Sequence, residues 1–239
     1  ETGTIARQMG MIERELMAGI DWSELSEPSW DQHTVRQEQW QLEYQDYVMF
    51  RIRQTMNDEP SEGQKDALRQ TIHGRGIHML IARFNRTCAW VASHIVRSNN
   101  IQERVAIVNK FIRIAWHCYR QGNMESLCQI MFGLQSPWIA RLQQTWEQVS
   151  LWELRAFEAL RRFTSPREQF AFLRYSMREA IETNIPSRRF SPLTTSSSPY
   201  VPFFGQFVSD LSAIDSLASF VDASGMPNTM PVSYTHLRA

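Results

Sequence analysis

The side chains best suited to chemistry in this sequence are its carboxylates, its six histidines and its three cysteines, Cys88, Cys118 and Cys128. His117 and Cys118 are neighbours, yet adjacent residues on a helix diverge by about 100°, so the two do not converge on one ligand. A core cysteine beside a boundary histidine accounts for the pair. No HExxH sets two imidazoles on one helix face, and no Cys/His spacing suits zinc. Neither GxxxxGKS/T nor GxGxxG is present to cradle phosphates. No metal and no cofactor is expected. Among the carboxylates, Glu13 and Glu15 stand two apart and do not face each other, whereas Glu179 and Glu182 at i, i+3 can share a face. Both pairs read as exposed helix charges. An α-helical enzyme with a small-molecule site stays open, but no converging set of residues supports it.

The bulk composition narrows the classes. Twenty-five basic residues balance twenty-five acidic ones, and 43% of the chain is hydrophobic. That balance suits a soluble globular protein and leaves no electrostatic footprint for nucleic acid or an anionic membrane. No apolar run reaches the length of a membrane span, and the N-terminus lacks the apolar stretch of a signal peptide. The cysteines form no CxxC pair and cannot all be paired, which points to reduced, buried thiols in a cytosolic protein. A protein partner fits these features better than a charged polymer.

The elements that must position any site are helical nearly from end to end. Ile5, Met9, Ile12, Leu16 and Ile20 recur at steps of four and three, one apolar face of a first helix. Trp40, Tyr44, Tyr47, Val48 and Ile52 make a second face, which NDEPSEGQ (57–64) interrupts. Ile77, Ile81, Phe84, Cys88, Val91 and Ile95 resume the step, and Asn99-Asn100 closes it. Val105, Val108, Ile112, Ala115 and Tyr119, widened by Phe111 and Cys118, mark a further helix, with Gly122 where its end wants a residue tolerant of positive φ. Leu127, Ile130, Met131 and Leu134 follow. Ser136-Pro137 predicts a capped helix start with proline at the first position. Ser150 with Glu153, and Ser165 with Glu168, predict capping boxes. Trp90, Trp116, Trp146 and Trp152 fall on or beside apolar faces and are expected to be mostly core. Strand signals are nearly absent. The reading is an all-α fold over residues 1–221, with loops about 55–76 and 185–199, the latter rich in Ser, Thr and Pro. From Asp222 no usable periodicity remains, and the terminal VSYTHLRA has the look of translated adapter sequence.

Five of these blocks, in order, resemble the catalytic domain of Ras-type guanine-nucleotide exchange factors, the Son of sevenless-like family. They are IARQMGMIERELMAGI (5–20), RFNRTCAWVASHIV (83–96), NIQERVAIVNKFIRIAWHCYRQGNMES (100–126), IMFGLQSPWIARLQQTWEQV (130–149) and VPFFGQFVSDLSAID (201–215). The resemblance implies a multi-helical single-domain bowl with a protruding helical hairpin. Such a domain binds a Ras-superfamily small GTPase and promotes GDP release by displacing its switch regions, without covalent chemistry of its own. It further implies a cytoplasmic protein whose recruitment to membranes is left to other domains.

Carried over position by position, the resemblance gives Asn85, Asn123 and Phe203 as GTPase-binding residues. For the two asparagines a scaffold role stays open beside contact, since Asn123 after Gly122 also suits a cap or turn. Phe207, Leu211, Ser212, Asp215 and Ser216 fall on the exchange hairpin. Arg141, Thr145, Trp146, Arg174, Phe204 and Gly205 match structural positions of the motifs. Two departures stand out: Ser216, preceded by Asp215, occupies the place of a hairpin glutamate, and Met124 replaces a usual phenylalanine. No basic second hairpin helix is recognisable after Asp222, so a chain cut short within the hairpin is expected. A GTPase-binding module without exchange activity is the alternative.

Overall fold

A computed structural model describes residues 1–26, 76–183 and 200–215, and the regular structure among them is helical, as the periodicity requires. The helices are α1 (Thr2–Ala18), α2 (Trp22–Ser26), α3 (Gly76–Val96), α4 (Ile101–Arg120), α5 (Met124–Leu134), α6 (Pro137–Ala140), α7 (Gln143–Trp146), α8 (Leu151–Phe163), α9 (Ala171–Thr183) and α10 (Gly205–Asp215). Among the described residues the one extended pairing is a parallel bridge between Asn123 and Val201. The expected helix around 40–52, the loop 185–199, Ser216 and the tail from Asp222 lie outside the described residues, as does the expected loop 55–76 except for Gly76, which instead begins α3. The chain divides into two compact units, Glu1–Phe203 and a second beginning at Phe204 that carries α10.

In the first unit α5 is the central element. Ten of its residues, all but Phe132, are buried, as expected of a helix apolar nearly all round. It packs along α3, α4 and α1, while α1 also lies on α3 and α4, and α8 and α7 cover α4. Helix α4 behaves as its sequence predicts: Val105, Val108, Phe111, Ile112, Ala115 and Cys118 are all buried. Asn100, expected to close α3, instead opens α4, its side chain accepting the Gln102 amide at 2.9 Å. An asparagine in that place satisfies one of the four amides a helix start leaves unpaired. Helix α3 is capped from a distance. The Glu24 carboxylate accepts the Gly76 amide at 3.1 Å and the Ile77 amide at 3.0 Å, placing negative charge at a positive helix end.

Three local expectations change. Ser150 does begin α8, but no capping box forms; the Glu153 side chain is buried and pairs with Arg113 of α4. A cross-helix ion pair outcompetes the local cap. At Ser165-Pro166 a short 3-10 turn (Arg167–Gln169) replaces the helix start. Glu168, Gln169 and Phe170 all take positive φ, so α9 begins only at Ala171. Of the four tryptophans expected to be mostly core, Trp90 and Trp152 are 45% and 51% exposed, and Trp116 and Trp146 are half-buried. Each rests one ring face or edge on a neighbouring aromatic.

The α3–α5 crossing depends on Gly133. A Cβ there would lie 2.8 Å from Val91 Cβ and 3.0 Å from the Cys88 carbonyl oxygen. The backbone atom cannot swing aside, so the helices would have to separate. Gly133→Ala is expected to cost about 1–3 kcal/mol, the range for overpacking a tight core, offset in part by alanine's better helix propensity. Urea unfolding reads the net loss; a stabilised variant would contradict the close approach.

Candidate functional site

The site is built where the turn between α4 and α5 receives the segment Tyr200–Phe203, here called the strap. Gly122 sits at φ +70, the left-handed conformation anticipated for it, which L side chains adopt at a cost of about 1–2 kcal/mol. Its carbonyl accepts the Val201 amide at 2.8 Å, and the Val201 carbonyl accepts the Met124 amide at 2.8 Å. Tyr200 lies against Gly122 and its hydroxyl meets Ser176 Oγ of α9 at 3.4 Å. Burial, partly offset by that hydrogen bond, pushes the Tyr200 hydroxyl up to about 12. The strap therefore joins the α4–α5 turn to α9 through both backbone and side chain. One residue later the segment carrying α10 begins.

Asn123 lies at the join. Its side chain is buried and caps α5, Oδ1 accepting the Ser126 amide at 3.1 Å and Nδ2 donating to Ser126 Oγ at 2.9 Å. Ser126 Oγ donates onward to Glu13 Oε1 at 3.4 Å. The same oxygen accepts Gln129 Nε2 at 3.0 Å and the Nε of Arg83 on α3. Glu13 is wholly buried and Arg83 nearly so. One carboxylate oxygen thus gathers donors from α3 and α5 while its own side chain stands on α1. Glu13 Oε2 and Gln129 Oε1 find no hydrogen-bond partner among the described residues. The expectation that Glu13 is an exposed helix charge is overturned. The buried stripe of α1 is Ala6, Met9, Gly10, Glu13 and Leu16, rotated from the Ile5–Ile12–Ile20 line toward the small residues that let α1 approach Asn123. A Cβ on Gly10 would lie 3.1 Å from Asn123 Nδ2.

Phe203 closes the strap. It is buried, and its ring meets Phe84, Phe132 and Phe170 at centroid distances of 5.8, 6.1 and 5.2 Å. Edge and tilted contacts of this kind add to the area they bury. Asn85, next to Phe84 on α3, is exposed, so the structure brings Asn123 and Phe203 into the interior and leaves Asn85 at the surface. Met124 is buried at the start of α5. Arg141 is exposed and stacks its guanidinium over Trp138 at 5.5 Å. Thr145 is buried; Trp146 donates through Nε1 to the Ile139 carbonyl at 3.0 Å; Arg174 donates to the Gln169 carbonyl at 2.6 Å. In the second unit Gly205 begins α10, the Phe204 and Phe207 rings lie 6.1 Å apart, and Phe207 and Leu211 are half-buried. The α10 backbone includes Ser212 and Asp215.

The thiols are poor nucleophiles. Burial, followed by the charge of Glu125, pushes Cys88 up to about 12, and burial raises Cys118 and Cys128 further. A thiol held protonated does not attack. Burial and then Arg120 lower the His117 pKa, and no cluster fit to hold a metal occurs among the described residues. What the geometry offers is a helical scaffold hydrogen-bonded to a strap, with one face of α3 exposed.

Comparison with known proteins places these features in a family. The model of the RasGEF domain matches residues 4–232. The guanine nucleotide exchange factor LTE1 of Kluyveromyces lactis is 26% identical over 89% of this chain and 13% of its own length. Ras guanine nucleotide exchange factor C of Dictyostelium discoideum is 31% identical over 55% of the chain and 8% of its own length. Human Rap guanine nucleotide exchange factor 5 is 36% identical over 39% and 16% respectively. The chain therefore spans less than a fifth of the length of each of these relatives.

Proposed function

We propose, from the premise that this chain belongs to the RasGEF domain family, that it binds a Ras-like small GTPase and promotes release of its guanine nucleotide. The observation that carries the reading is the extent of the family match, which runs from α1 through the strap and α10. A binder with no bond to break can drive release only by holding the nucleotide-free GTPase more tightly than the loaded one. The nucleotide is held largely through magnesium and phosphate charge, so displacing the switch segments that complete that site weakens it. In this assignment Asn85 offers an exposed carboxamide to the partner. Phe207, Leu211, Ser212, Asp215 and Ser216 belong to the element that displaces the switches. Asn123 and Phe203 serve the partner surface through the turn and the strap. The zero net charge supports a protein partner over nucleic acid. No helix among the described residues is long and apolar enough to cross a membrane; a cytoplasmic site of action, with membrane recruitment supplied by other domains, completes the reading.

Asn85→Ala tests the partner face. It is expected to weaken binding to the nucleotide-free GTPase about fivefold to tenfold, the worth of one polar contact, with the thermal unfolding midpoint unchanged because the side chain is exposed. Unchanged affinity in titration calorimetry would remove Asn85 from the interface. A second reading rests on Ser216 standing where the family commonly has glutamate: binding of the GTPase with no faster nucleotide release would identify a non-exchanging module.

A further inference from the structure

We infer that Glu13 is a positioning residue for exchange, acting through Asn123 on the strap from which α10 departs; this rests on the reading just proposed. Glu13 is wholly buried, so its side chain cannot itself touch a GTPase. Its Oε1 nevertheless ties together the two places that reading depends on. Toward α3 it accepts Arg83 Nε, two residues before the exposed Asn85. Toward the strap it accepts Ser126 Oγ, which receives Asn123 Nδ2, while Asn123 Oδ1 holds the Ser126 amide. The backbone on either side of Asn123 then carries the two 2.8 Å bonds to Val201. Gln129 Nε2, on the same oxygen at 3.0 Å, fixes the rotation of α5 against α1.

The chemistry favours a positioning role over mere cohesion. An apolar residue in this stripe would fill the space without a desolvation penalty, and replacing buried ion pairs by apolar residues is often neutral or stabilising. A carboxylate instead fixes register, because three donors must reach one oxygen at hydrogen-bond distance. A slide of α3 against α5 lengthens these hydrogen bonds and breaks that convergence. Among the described residues Oε2 has no hydrogen-bond partner, and the contacts from Arg83, Ser126 and Gln129 converge on Oε1.

Glu13→Gln isolates this role. Glutamine keeps one carbonyl oxygen and the side-chain volume but removes the charge that Arg83 pairs with. In the full chain, hydrogen exchange at the Val201 and Met124 amides is expected to quicken about tenfold, a local opening, while the Ile112 amide in α4 keeps its wild-type rate. The turnover rate for nucleotide release should fall about fivefold to tenfold with the GTPase concentration at half-maximal rate unchanged, as for an interaction expressed only in the transition state. In an Asn123→Ala background the same change should add nothing further, since residues acting through one another are non-additive. If Glu13→Gln alone unfolds, Glu13→Gln with Arg83→Met removes both charges and carries the same measurements. Wild-type exchange at the two amides, or additive effects with Asn123→Ala, would overturn the inference while leaving the exchange function standing. A wild-type chain that releases no nucleotide would overturn the function itself, and with it this role for Glu13.

Discussion

Glu13→Ala should destabilise the protein by about 3–5 kcal/mol, the cost of removing one partner from a buried ion pair. The change removes the acceptor shared by Arg83, Ser126 and Gln129 and opens a space on α1 opposite α5. A buried donor deprived of its acceptor carries its own desolvation penalty, about 1–3 kcal/mol, so the loss should exceed that of an ordinary helix substitution. Glu147→Ala is the control: that residue is exposed just after α7, and its removal should change stability by no more than about 0.5 kcal/mol. Urea unfolding monitored by circular dichroism separates the two. Equal midpoints for both variants would mean that Glu13 is solvated and that the polar network does not exist as described.

Phe203→Ala should be of similar size and reach further into function. Truncating a buried phenylalanine costs about 3–5 kcal/mol, depending on how far the space left behind collapses. Here three other rings, Phe84, Phe132 and Phe170, line that space. They come from α3, α5 and the turn before α9, so collapse from any one side leaves contacts unmade on the others. Phe203 also ends the strap, one residue before the second unit begins. Its loss should therefore slow nucleotide release more than it weakens GTPase binding through the exposed Asn85. Phe203→Leu, which keeps most of the apolar volume, should recover the larger part of both stability and release. Unfolding curves and release kinetics on the same three proteins decide the matter; a Phe203→Ala variant as stable as the parent would place the ring outside the core.

Much of this is legible in the sequence itself. The α4 stripe, the positive φ of Gly122 and the all-helical class follow from periodicity and steric rules that act within a few residues. The ordered motifs led to the family that the match over 4–232 establishes. What escaped is non-local. Glu13 stands at i+4 from Met9 and i−3 from Leu16, in the middle of a stripe, and that misplaced charge was the available signal. Nothing within α1 names its partners, because Arg83 and Gln129 lie 70 and 116 residues away. Glu153 misled for the same reason: three residues after Ser150 it satisfies the local cap rule, yet Arg113, 40 residues earlier, holds it. The Ser165–Glu168 box failed because three successive positive-φ residues turn the chain before α9, a geometry no capping rule anticipates. Asn123 suits either a cap or a contact by sequence, and its hydrogen bonds to Ser126 show the cap.

We propose that this chain promotes nucleotide release from a Ras-like GTPase. The direct measurement is the rate at which fluorescently labelled GDP leaves Ras and Rap proteins in the presence of excess unlabelled nucleotide, with and without the chain. Release should accelerate in proportion to the chain added, for at least one of these GTPases, and Asn85→Ala should reduce the effect. A release rate that stays at its intrinsic value for every GTPase, together with no binding to the nucleotide-free forms, would mean that the chain is not an exchange factor for Ras or Rap.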